Sequence, residues 1–101
     1  MRAMVLSNGR PGNMYLTTSY VLFDAMIGGG ADSDFQIAVT LREIQSVKRM
    51  KHKLYESIEI STRDNQFLFS SVKKRQKMYE EIVRQSNYVG NTKLQHSTVA
   101  Q

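Results

Sequence analysis

The sequence predicts a mainly β domain that ends in one α-helix. Three observations carry that expectation. Before residue 70 the apolar residues recur with a period near two, as in Phe35, Ile37, Val39 and Leu41, or Ile58 and Ile60. Stretches rich in Gly, Pro, Asn and Asp separate these short runs. After Ser71 the spacing becomes helical, with Val72, Tyr79, Ile82 and Val83 on one stripe and Met78 beside it.

Met4 to Ser7 is the first expected strand. The turn that follows is Asn8-Gly9-Arg10-Pro11-Gly12, whose glycines and proline supply special backbone angles. Met14–Thr17 and Tyr20–Ala25 form a hairpin joined at Thr18-Ser19. Gly28 to Asp34 is a flexible loop, and Phe35 to Leu41 a half-buried strand. Ile44 and Val47 open the next strand, which runs into the basic segment Lys48–Lys53. Glu56 to Thr62 is another strand, with Ile58 and Ile60 inward. Arg63 to Gln66 turns the chain, and Phe67 and Phe69 share one face of the last of about seven strands. Ser71 is placed to cap a helix from Val72 to about Gln85. The apolar stripe of that helix needs a surface, which the open end of the β-layers offers. Asn87 to Gln101 is polar and without period. The expected organisation is therefore one domain over residues 1–86 and a polar, partly disordered tail over 87–101.

Composition narrows the class. The chain has 101 residues, 41% of them hydrophobic, and no cysteine. A single small core is affordable at that size. Disulfides, thiolate metal sites and cysteine nucleophiles are excluded, and a reducing, cytoplasmic compartment is expected. No apolar run approaches membrane-spanning length and no secretory signal opens the chain, so any membrane contact is expected to be peripheral.

The net charge is +5, and eight of the fourteen basic residues fall in two clusters. Lys48, Arg49, Lys51 and Lys53 form the first; Lys73, Lys74, Arg75 and Lys77 form the second. Clustered cations suit anionic partners. The second cluster sits where the helix dipole is positive, the end that helix stability alone would fill with acids. Glu80 and Glu81 lie within pairing distance of Lys77 along the helix and offset part of that cost.

The stretch Gly12-Asn13-Met14-Tyr15-Leu16-Thr17-Thr18-Ser19-Tyr20-Val21-Leu22-Phe23 resembles the G-x-hydrophobic-Tyr-Leu-Thr-x-x-Tyr-hydrophobic-x-Phe opening of GRAM domains. Further along, Ile37 to Val47 is similar to the family's "strand, Leu-x-x-Ile, strand" junction. Ser57 to Thr62 resembles the strand after it, and Gln66 to Val72 the Phe-x-Phe-x-Ser-hydrophobic passage into the helix. Together these matches cover roughly residues 4 to 86. The resemblance implies a pleckstrin-homology-like split barrel: two near-orthogonal antiparallel sheets capped by the helix. It also implies an attachment module of a larger protein in trafficking or lipid signalling. Members bind phosphoinositides, phosphatidylserine or proteins. Lipid-binding pleckstrin-homology domains carry several cations around the first hairpin loop, and here that loop has only Arg10.

Other features carry less. Met26 and Ile27 beside Gly28-Gly29-Gly30 make a candidate hydrophobic tip, but Asp32 and Asp34 oppose deep contact with anionic lipid. Those aspartates lack the remaining ligands of a calcium loop, and the glycines lack the phosphate-loop pattern. His52 and His96 are far apart, and no nucleophile–base–acid set or metal-ligand cluster appears. The expectation is a non-enzyme without metal or cofactor. Its leading reading is a membrane-associating adaptor that binds anionic phospholipid through Lys48, Arg49, Lys51, Lys53, Lys73, Lys74, Arg75 and Lys77. The alternative is a protein-interaction module without lipid affinity. Nucleic acid is the weakest of the three partners, because no exposed aromatics interleave the basic clusters.

Overall fold

A computed structural model describes residues 1–7, 10–25, 36–52, 55–92 and 94–99. Alternation decides which side chains turn inward. In β1 (Arg2–Ser7), Ala3, Val5 and Ser7 are buried while Arg2 and Met4 are exposed. β2 (Arg10–Leu16) buries Met14, and β3 (Tyr20–Ala25) buries Val21 and Phe23. β4 (Gln36–Thr40) contributes Val39, β5 (Ser46–His52) Val47, β6 (Tyr55–Ser61) Ile58 and Ile60, and β7 (Gln66–Ser70) Phe69. These side chains form one core. The stretch Met26–Phe35, with its candidate hydrophobic tip, lies outside the described residues.

β2 begins two residues before the end of the expected turn, and its geometry explains why. Pro11 pairs with Leu6 of β1, whereas the β3 ladder starts only at Gly12↔Ala25. Among the described residues, no third strand needs the N–H that Pro11 lacks. Gly12 is required by close approach. A Cβ there would lie 2.5 Å from the Asp24 carbonyl oxygen and 2.6 Å from Phe23 Cζ. Phe23 cannot retreat freely, because it is buried and its ring centroid lies 6.1 Å from that of Phe69. Gly12→Ala is expected to cost about 1–3 kcal/mol, the range of an overpacked core, read as a lower urea midpoint at unchanged slope.

The strand order is β4-β3-β2-β1-β7-β6-β5-β8. The expected pair of near-orthogonal sheets is corrected to one continuous, unclosed sheet. β1 belongs to both meanders: it pairs with β2 along its length and with β7 at Leu6↔Ser70 and Ser7↔Phe69. The sheet is nonetheless strongly curled. Phe23 and Phe69 sit three strand spacings apart, about 14 Å if flat, yet their rings are 6.1 Å apart.

Leu41–Glu43 forms a 3-10 turn between β4 and β5, so Ile44 lies in the connection rather than in the next strand. Thr17 and Thr62 close the β2–β3 and β6–β7 turns. The hydroxyl of Thr17 accepts from Tyr20 N–H at 2.9 Å, and that of Thr62 from Asn65 N–H at 3.2 Å.

α1 spans Arg75–Tyr88, three residues later at each end than the spacing predicts. Ser71 does not cap it. Val72 is buried and donates its N–H to Glu56 O at 3.1 Å, and Lys73 donates to Met4 O at 3.1 Å. The chain must make these ties to β6 and β1 before it can turn. Met78, Tyr79, Ile82 and Ser86 then face the core. The helix ends in a Schellman motif: Gly90 at φ 88° donates to Asn87 O at 3.0 Å, and Asn91 N–H to Ser86 O at 2.9 Å. Asn91 is buried, and its Nδ2 donates to Leu41 O and Ile44 O, both at 2.8 Å.

Beyond the helix the sequence offers no expected element. The structure places an eighth strand there among the described residues, β8 (Gln95–Val99), parallel to β5 from Ser46↔Gln95 to Met50↔Val99.

Candidate anion-binding site at the helix start

The passage from β7 to α1 gathers Lys73, Lys74, Arg75 and Lys77. Ser71 and Lys74 both adopt left-handed backbone, at φ 53° and 57°. The ties of Val72 and Lys73 to β6 and β1 hold this tight turn in place. Lys73, Lys74 and Lys77 are exposed as a result. No side chain caps the helix start, and its first turn carries no acid. The N-terminal partial charge of the helix therefore adds to that of the lysines.

Lys73 and Lys74 line a surface concavity of about 400 Å³ with Arg2, Ala3, Met4 and Asn13. Met4 is 50% exposed there, an apolar side chain framed by three cations. Arg2, Met4 and Asn13 were not among the sequence candidates. Starting the first strand at Met4 leaves Arg2 out of it; alternation around buried Ala3 and Val5 is the signal that places Arg2 and Met4 together on the outer face.

The two arginines of the basic clusters turn to the protein instead. Arg49 Nη1 donates to Gln76 Oε1, and its guanidinium lies 4.4 Å from the Tyr79 ring centroid. Gln76 in turn donates to Glu80 at 2.7 Å. Arg75 donates to Met50 O at 3.0 Å and pairs with Glu56 at 3.3 Å, its side chain only 15% exposed. The clusters thus meet at the seam between β5 and α1, through groups that brace the helix against the sheet. Lys48 is half-buried on β5, opposite Glu59 and Ser97. Lys51 pairs in register with Glu56. The side chains of Lys51 and His52, and all of Lys53, lie outside the described residues.

Burial pushes the Tyr79 hydroxyl above the ordinary tyrosine value of 10.0, and the Arg49 cation pulls it back part of the way. The neutral phenol is thus favoured by folding. Stability from this residue is full below the unfolded value and falls as pH rises through the folded one. Arg49→Gln is expected to move Tyr79 further up, seen in ultraviolet titration as one tyrosine ionising later than in the parent.

Among the described residues, no helix is long and apolar enough to cross a membrane, and no group of three or more His, Cys, Asp or Glu could hold a metal ion.

Comparison with known proteins agrees with the fold. The family model of the GRAM domain matches residues 7–91. A solved structure, the C-terminal domain of an unknown protein from Leishmania infantum, superposes with a TM-score of 0.74 at 16% identity. The match covers 86% of this chain and 82% of that one, and at such identity it speaks to fold alone. No curated protein matches the sequence.

Proposed function

This chain belongs to the GRAM domain family, and we propose that it is a peripheral membrane adaptor that binds anionic phospholipid, a phosphoinositide or phosphatidylserine. GRAM domains serve generally as membrane or protein interaction modules. The observation that carries the lipid reading is the exposed pair Lys73 and Lys74 at an uncapped helix start, beside Arg2 and the exposed Met4. Cations there meet headgroup phosphates, backbone N–H groups of the first helical turn favour the same charge, and Met4 offers a short apolar contact at the acyl boundary. In this reading the domain is a cytoplasmic, non-catalytic part of a larger trafficking or lipid-signalling protein. Its curled sheet and C-terminal helix are of the pleckstrin-homology-like kind.

Each lysine or arginine near an anionic surface contributes about 1 kcal/mol. Arg2, Lys73, Lys74 and Lys77 together support weak, salt-sensitive attachment, one signal among several. The test is co-sedimentation with neutral phosphatidylcholine vesicles and with vesicles carrying phosphatidylserine or one phosphoinositide, at low and physiological salt. Binding to acidic vesicles alone is the expected outcome. Equal retention on neutral vesicles, or none on any, overturns the reading.

A second reading, a protein-interaction module, is favoured by β4, which pairs only with β3 among the described residues and leaves its outer edge open to strand addition. That module would keep its partner under charge reversal at Lys73 and Lys74. Nucleic acid is the weakest reading.

A further inference from the structure

We propose that the outer edge of β5 is a strand-addition site for an extended, acidic segment of a partner protein, and that β8 is its removable internal occupant.

Four observations point there. β8 is the one parallel partner in a described sheet whose other ladders are antiparallel, and parallel pairing is less stable per residue. Its substantial described contacts are with β5 alone. Its sequence, Gln95-His96-Ser97-Thr98-Val99, lacks the apolar alternation that pins a strand to one register. It also lies beyond residues 7–91, the span that the family model matches. The chain upstream is fixed independently: Asn91 is bonded to Leu41 O and Ile44 O, and Leu94 packs against the core. β8 can therefore leave without withdrawing the helix.

When β8 leaves, the backbone groups of Ser46–Met50 that it satisfies are exposed. An edge of that kind pairs with the next extended segment it meets. The charge beside the edge selects the segment. β5 carries Lys48, Arg49 and Lys51, and β6 returns Glu59 and Glu56 opposite Lys48 and Lys51. Arg49 is engaged by Gln76 and Tyr79, so the cation of β5 that faces a strand at this edge is Lys48, and β8 brings no acid to it. Ser97 is the β8 residue in register with Lys48. An acidic residue at that place gives Lys48 a cross-strand partner that the internal strand withholds.

The test uses the full chain. Alternate residues of a strand face its neighbour, so one of Ser97→Pro and Thr98→Pro removes an N–H that β5 uses. Two fluorescent peptides serve as probes: the chain's own residues 94–101, and the same peptide with glutamate at the Ser97 place. The parent is expected to bind both weakly. One proline variant should bind both more tightly, with the glutamate peptide ahead by about two- to five-fold at low salt. If both variants melt cooperatively and neither gains peptide binding, the proposal is overturned. Hydrogen exchange on the parent decides independently of either variant. The amides of 95–99, and those of 46–50 that point to β8 rather than to β6, should open together, well before those of β6 and β7. Exchange of β8 only through global unfolding also overturns the proposal. Vesicle binding by the proline variants should match the parent, which separates this site from that of Lys73 and Lys74.

Discussion

Asn91→Ala is expected to destabilise the domain by about 1–3 kcal/mol, the cost of a buried carbonyl, here that of Ile44, that loses its donor. The Asn91 side chain donates to two carbonyls of the β4–β5 connection, those of Leu41 and Ile44, each at 2.8 Å, and Leu41 O also accepts from Ile44 N–H at 3.4 Å. Its amide must face them with nitrogen, because oxygen would repel both. Three replacements separate hydrogen bonding from packing. Asn91→Leu restores volume but no donor, so it should fall with alanine. Asn91→Asp sets acceptor against acceptors and should be the worst. A thermal midpoint reads the series, at about 4–8 °C per kcal/mol for a domain this size. Leucine restoring the parent midpoint would assign Asn91 to space-filling and remove the clamp from the account.

The double variant Lys73→Glu/Lys74→Glu is expected to lose vesicle binding while gaining stability. Each reversal removes about 1 kcal/mol of attraction and adds a comparable repulsion. Together they amount to about 4 kcal/mol, or roughly a thousand-fold in affinity at low salt. That loss should shrink as added salt screens the surface. Stability moves the other way. The lysines sit at the positive end of α1, where no acid precedes them; acids there favour the helix by about 0.3–1 kcal/mol. Opposite signs in the two measurements are the signature of residues kept for a partner rather than for the fold. A drop in both would instead mean that the lysines hold the turn together.

Much of this arrangement was legible from residue types. Val39, Ile58, Ile60 and Phe69 lie inward as their alternation predicts, and Met78, Tyr79 and Ile82 lie on the core side of the helix. The start of α1 was not legible. Ser71 has the chemistry of a cap, but two tertiary hydrogen bonds, from Val72 to β6 and Lys73 to β1, occupy the turn first. β8 was hidden for a different reason: a polar edge strand is defined by backbone pairing, which leaves no period to read. Within the candidate site, Lys73 and Lys74 stood out as charge on the unfavoured helix end. The departure of Arg49 and Arg75 from that surface had a signal of its own. Each is an arginine among lysines, and a planar guanidinium suits stacking and forked bonding within a protein better than an ammonium does.

The narrow contact of β1 with β7 has a consequence for synthesis. The strand made first ends in the middle of the finished sheet, and its second neighbour is encoded some sixty positions later. As the chain leaves the ribosome, β1 to β4 can form a meander early. Val5, Met14 and Phe23 then remain open to water until Phe69 and the helix arrive. Completion waits for β7 and α1, so a nascent domain spends its growth with an apolar face uncovered. A message cut short before β7 is expected to yield an aggregating fragment rather than a smaller domain.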